Sequence, residues 1–130
     1  MNLNQITVPS KDVPTSIEFY KKLGLQLIVH THDQYARFEC PEGEATFSIH
    51  QVTELPSGDG VYVYFEVEDV AKKVSELKSV GISFETPVEN QSWLWTEARL
   101  LDPDGNTIII YKAGEHRKNP PWRIKTNSNA

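Results

Sequence analysis

Four histidines and one cysteine are the side chains of this 130-residue sequence best suited to hold a metal or attack an electrophile. His30 and His32 flank Thr31 in "IVHTHD", where a strand gives way to a loop. Alternation puts both on one face, at a spacing compatible with metal. No third ligand is evident nearby, so the pair reads as part of an exposed loop. His50 ends the run "ATFSIH" at the parity of Ser48 and reads as a rim histidine, and His116 reads as exposed in a polar tail. Cys40 lies in an apolar-flanked strand, which favours an inert thiol over a nucleophile.

A second set carries the chemistry of recognition. Alternation in "VYVYFEV" sends Val61, Val63, Phe65 and Val67 to one face and Tyr62 and Tyr64 to the other. The same rule places Glu97 and Arg99 together in "TEARLL", and Tyr35, Arg37 and Glu39 opposite Ala36 and Phe38 in "YARFEC". In "NTIIIY" it sets Ile109 and Tyr111 against Ile108 and Ile110, and "SWLWTE" adds Trp93 and Trp95. Aromatic rings with two arginines and a few glutamates stack planar or cationic molecules and anchor them at polar points. The plainer alternative is a filled core or a dimer interface, with Arg37–Glu97 or Arg99–Glu39 as cross-strand ion pairs.

The elements that position these residues occur twice. Asp12 and Asp69 stand 57 positions apart, and the same offset pairs Val13 with Val70, Ile17 with Val74, Tyr20 with Leu77, Leu23 with Val80, Gly24 with Gly81 and Leu27 with Phe84. Each unit opens with a strand, "NLNQITV" or "VYVYFEV". An aspartate suited to N-cap a helix follows, then apolar residues at helical spacing, then a glycine suited to a left-handed C-cap. Three strand candidates complete each unit: "LQLIVH", "YARFEC" and "ATFSIHQV" in the first, "ISFE", "TEARLL" and "NTIIIY" in the second. The order is βαβββ, twice, joined by the linker "LPSGDG" and followed from residue 113 by a tail expected to be extended, with Trp122 and Ile124 as surface anchors and a disordered end.

Composition narrows the partners. A net charge of −5 argues against nucleic acid or an anionic membrane surface. No apolar run reaches the ~20 residues of a membrane helix, and the first residues lack the pattern of a signal peptide. One cysteine excludes an intrachain disulfide, which points to the cytoplasm.

The stretches "NQITVPSKDVPTSIEFYKKLGL", "VYFEVEDV" and "LLDPDGNTIIIY" together resemble the vicinal-oxygen-chelate superfamily of glyoxalases, bleomycin-resistance proteins and extradiol dioxygenases. The resemblance spans about residues 3–112. It implies an α+β fold, with two βαβββ modules (about 3–54 and 60–112) forming a curled eight-stranded mixed sheet with helices outside, a pocket in the concavity, and frequent pairing into homodimers.

The resemblance also implies four metal-ligand positions. They fall at Gln5, at Phe47 or Ser48, at Tyr62 and at Ile109. Only Gln5 retains a possible ligand, because an alkyl group such as that of Ile109 cannot coordinate a hard cation. The expected function is therefore a small-molecule-binding protein without cofactor or metal. Its pocket would draw on Gln5, Arg37, Ser48, His50, Tyr62, Tyr64, Trp93, Trp95, Glu97, Arg99, Ile109 and Tyr111. The alternative is a metal-dependent lyase, isomerase or dioxygenase with a displaced divalent-metal site built from Gln5, His50 and Glu97.

Overall fold

The computed structural model describes residues 1–125. Strand β1 (Gln5–Ser10) leads to helix α1 (Val13–Leu23), and β2 (Gln26–Thr31), β3 (Tyr35–Glu39) and β4 (Thr46–Gln51) follow. The second half runs β5 (Tyr62–Glu66), α2 (Val70–Ser79), β6 (Glu89–Asn90), β7 (Thr96–Leu101) and β8 (Thr107–Lys112), and a 3₁₀ turn spans Gly114–Arg117. Hydrogen bonding divides the strands into two four-stranded mixed sheets of order β1-β4-β3-β2 and β5-β8-β7-β6. Each is parallel at its first pair and antiparallel elsewhere. The expected eight strands are present as these two halves, and among the described residues no ladder joins β1 to β5.

The helices begin and end as their sequence signals dictate. Asp12 accepts from the Thr15 amide and Asp69 from the Lys72 amide, satisfying first-turn donors that have no partner inside the helix. At the other end the Leu25 amide reaches the Tyr20 carbonyl, and the Ile82 amide the Leu77 carbonyl, both at 3.0 Å. Gly24 and Gly81 make these reversals at φ of +111° and +94°, where a Cβ would be strained.

Each helix packs on its own sheet, and the apolar faces share one core. Phe38, Phe47, Ile49, Leu100 and Ile108 are fully buried there with Tyr20, and the rings of Phe47 and Phe65 lie 6.0 Å apart across the two modules. A polar clasp at the "DPDGN" turn also joins the halves. The Tyr20 hydroxyl donates to Asp102 Oδ2 at 2.6 Å, and the Ser16 hydroxyl and Lys11 amide donate to Asp104. Asn106 Nδ2 donates to the Pro9 carbonyl. Asp102 also accepts from the amides of Asp104 and Asn106, so one carboxylate holds both the turn and the neighbouring module.

The structure corrects several expectations. "ISFE" is not a strand. Ile82 turns into the core, the Glu85 and Thr86 amides both converge on the Arg99 carbonyl, and Pro87 has no N–H to continue a ladder, so the short β6 forms only at Glu89–Asn90. Val61 precedes β5 and is 63% exposed instead of packing on a helix. The chain after Lys112 is folded at its start: Glu66 Oε2 accepts from the Ala113 and Gly114 amides and Ala113 is buried. Trp122 and Ile124, at 55% and 90% exposure, do not anchor the tail. The expected disorder of the chain end falls on residues 126–130, outside the described residues.

Candidate functional site

The pleat gives each sheet a face turned away from its helix, and the strand register shows which side chains share it. In the first module Thr7, Ser48 and Arg37 form one row across β1, β4 and β3, and Pro9, His50 and Tyr35 form the next. In the second module the corresponding rows are Tyr64, Ile109 and Arg99, then Glu66, Tyr111 and Glu97. Ser48 thus holds the place in β4 that Ile109 holds in β8, while Phe47 belongs to the core. Arg37 and Arg99 are likewise equivalent positions of the two modules.

The two faces differ in chemistry. The second is aromatic. Tyr64 meets Trp95 and Tyr111 edge-on, with ring centroids 5.7 and 5.2 Å apart, and Trp95 lies 4.9 Å from Tyr111. Ile109, fully buried, forms a small second core with Tyr111, Ala113 and Trp95. It is a floor under the rings. Trp95 is fixed by its indole N–H, which donates to the His116 carbonyl at 3.3 Å. This contact corrects the expectation of an exposed His116, whose ring is half-buried with Nδ1 enclosed and without a partner. Trp93 stands apart, exposed in the turn before β7.

Glu97 and Arg99 edge this wall. Arg99 lies over the Tyr62 ring at 4.9 Å, and Tyr62 and Tyr64 remain well exposed. Glu97 is buried, and burial pushes its carboxyl above the ordinary range, with Arg99 opposing the shift and Glu89 adding to it. Burial also raises the hydroxyl pKa of Tyr64 and Tyr111, helped by the charges of Glu97 and Glu66 respectively.

The first face is polar. Ser48 is fully buried, with its hydroxyl 2.6 Å from both Gln5 Nε2 and Thr7 Oγ1, and the Thr46 hydroxyl bonds Gln5 Oε1. Arg37 Nε donates to the Tyr35 hydroxyl oxygen at 2.9 Å. The anticipated Arg37–Glu97 and Arg99–Glu39 pairs are not among the ion pairs of the described residues. Each would join different modules, and Glu39 faces Gln26 and Thr46 in its own sheet. His50 is exposed opposite Tyr35. His30 pairs with Asp33 at 2.5 Å, and a positive φ at His32 ends the alternation that would have set the two histidines together. Cys40 is half-buried, with its thiol pKa raised by burial.

Among the described residues no three His, Cys, Asp or Glu side chains converge as a metal site. The four family ligand positions carry an amide already bonded to Ser48, a hydroxyl, a phenol and a buried alkyl group. This set does not fit a divalent ion. Sequence reasoning missed Thr7, Thr46 and the Arg37–Tyr35 contact. Alternation had put Tyr35 on the right face without showing whom it would meet.

Residues 2–110 match the profile of the Glyoxalase/Bleomycin resistance protein/Dioxygenase superfamily. The chain belongs to this superfamily. Among its relatives is the uncharacterized protein YraH of Bacillus subtilis (strain 168), 32% identical over 126 residues, which covers 86% of this chain and 98% of that protein. A glyoxalase/bleomycin resistance protein/dioxygenase from Nocardioides superposes with a TM-score of 0.77 at 21% identity, covering 96% of this chain and 90% of that one. A bleomycin-binding protein solved in complex with bleomycin gives 0.70 at 23% identity, covering 86% and 98%. Lactoylglutathione lyase from Agrobacterium tumefaciens gives 0.72 at 16% identity, covering 85% and 92%. A superfamily fold common to a binding protein and a lyase leaves activity to be argued from the site.

Proposed function

We propose that this superfamily member is a metal-independent small-molecule-binding protein that takes a planar or cationic ligand against the wall of Tyr64, Trp95 and Tyr111. The single observation behind this reading is the exchange of ligand chemistry for ring chemistry at one place. At the β8 ligand position stands the buried Ile109, and the residues around it are aromatics packed edge-on or tilted, with Glu97 and Arg99 at the edge. Such a wall binds flat or positively charged groups through stacking and cation–π attraction, and Glu97 in a dry setting strengthens the preference for a cation. The bleomycin complex of a fold neighbour supports binding as a role this architecture performs.

The wall is open, and two clefts of about 440 and 280 Å³, beside α1 and around Glu66–Glu68, are not lined by Tyr64, Trp95 or Tyr111. A second copy of the chain closing over the wall would complete the pocket, so the working form proposed is a homodimer. A cytoplasmic location fits the single free cysteine. Among the described residues no helix is long and apolar enough to cross a membrane.

The test is a fluorescence titration of chelator-treated protein with bleomycin and with a planar aromatic cation such as acriflavine, in the wild type and in Trp95→Phe. The reading expects saturable quenching that the variant largely loses, with sedimentation reporting a dimer. Stoichiometric Zn, Ni, Mn or Fe in protein purified without chelator, lost together with binding on chelation, would refute metal independence.

A further inference from the structure

The donor groups of the first module's face take no part in the aromatic wall, and counting their hydrogens shows what they offer. The Thr46 hydroxyl occupies Gln5 Oε1, which fixes the amide nitrogen as the end that meets Ser48 and Thr7. An amide nitrogen only donates, so Ser48 accepts from it. The Ser48 and Thr7 hydroxyls, in mutual contact, share one hydrogen, and the other is left for the neighbouring Tyr35 oxygen or for a ligand. Tyr35 accepts from Arg37 Nε and keeps its own hydrogen. The terminal guanidinium nitrogens of Arg37 have no hydrogen-bond or ion-pair partner among the described residues. Arg99, in the equivalent place, has Glu97 as a charged neighbour.

Hydrogen-bond donors therefore outnumber acceptors on this patch. The titratable groups facing it are His50, opposite Tyr35 on β4, and Glu39, exposed two residues beyond Arg37 on β3. On the far side of β3, Val29 and Thr31 of β2 bring no charge.

We propose that Arg37, Tyr35 and the exposed Thr7 hydroxyl, the last held in place by the buried Ser48, bind the oxyanion of a ligand, a carboxylate, phosphate or phosphonate group. Arg37 supplies the charge and a planar fork of donors, and the hydroxyls supply the converging ones. The phenol of Tyr35 is already adapted to this task. Its slight burial acts to raise the pKa, but Ser48, Arg37 and Gln5 around the oxygen outweigh that and leave it below the ordinary value, which makes the hydroxyl a stronger donor. That this oxyanion belongs to the same ligand as the aromatic wall rests on the function proposed above. The oxyanion site itself does not.

The experiment follows the Nε–H resonances of the four arginines, Arg37, Arg99, Arg117 and Arg123, in ¹⁵N-labelled protein titrated with inorganic phosphate at fixed ionic strength. Expected is a saturable shift at Arg37 alone. Tyr35→Phe weakens affinity by roughly tenfold, the worth of one charge-assisted hydrogen bond. In Arg37→Gln the Ser48 and Thr7 amides no longer respond. A linear or uniform drift of all four arginines, or an unchanged affinity in Tyr35→Phe, overturns the site whatever the wall binds. A second arm compares phenylphosphonate with methylphosphonate. Tighter binding of the phenyl compound that Trp95→Phe abolishes joins the oxyanion to the wall, and equal affinities refute that joining.

Discussion

Replacing Tyr20 by phenylalanine removes one oxygen atom from the contact between the modules and leaves the ring packing intact. The hydroxyl is buried and donates to Asp102 at 2.6 Å, and the carboxylate keeps three other donors, the Asp104 and Asn106 amides and Asn106 Nδ2. Asp102 is thus left under-satisfied but not stranded. A buried hydrogen bond to a charged acceptor contributes about 1.5–3 kcal/mol, so Tyr20→Phe should lower unfolding stability by about 2 kcal/mol. For a chain of this length that corresponds to a fall in Tm of roughly 6–10 °C.

The pH dependence has a definite sign. Burial first, and then the Asp102 and Asp104 charges, push the Tyr20 pKa far above its ordinary value of 10.0. Below pH 10 the phenol is neutral whether folded or not, and its contribution is fully present. Above pH 10 the unfolded chain ionises there while the folded chain resists, so the contribution is lost as pH rises. Urea unfolding of both proteins from pH 6 to pH 10.5 should therefore show a constant gap up to about pH 9 that narrows above pH 10. A gap below 0.5 kcal/mol at pH 7, or one that widens at alkaline pH, would refute the role given to this bond.

Glu97 should behave in the opposite sense to a salt-bridged carboxylate. Burial raises its pKa, so its charge costs stability at neutral pH, and Glu97→Gln should raise Tm at pH 7 with a gain that shrinks towards pH 4.5 in parallel thermal melts. Gly24→Ala and Gly81→Ala should each cost about 1–2 kcal/mol by circular-dichroism melting, because the positive φ is strained for alanine although nothing lies within 4 Å of the added methyl. Thiol titration with a chromogenic disulfide at pH 8 should find Cys40 slower than free cysteine and accelerated by denaturant, as its raised pKa requires.

The repeat at offset 57 was legible because each signal in it is local. Asp12 and Asp69 cap the turns beside them, and Gly24 and Gly81 reverse the chain beside them. Face assignments for Tyr62, Tyr64, Glu97 and Arg99 needed only the period of a strand. What stayed hidden depended on partners distant in sequence. Ile82 and Phe84 have strand-like spacing, but Pro87 and the doubly used Arg99 carbonyl decide their course. Nothing around His116 announces that its carbonyl fixes Trp95, 21 residues earlier. Nor does any motif reveal that the hydroxyl of Tyr20 belongs to a turn 82 residues away.

Two modules built to one plan face an ambiguity of self-recognition, since like can settle against like. The bond between Tyr20 and Asp102 resolves it by polarity. The position in α2 that matches Tyr20 is Leu77, which has no hydroxyl, and the loop between β3 and β4 that matches the aspartate turn is exposed. Two first modules meeting would bring together two donors, and two second modules would bury two carboxylates without their tyrosines. Only the unlike combination closes the circuit, whether its halves come from one chain or from two. The "DPDGN" turn therefore serves as an address within this fold, independently of any chemistry at the strand that follows it.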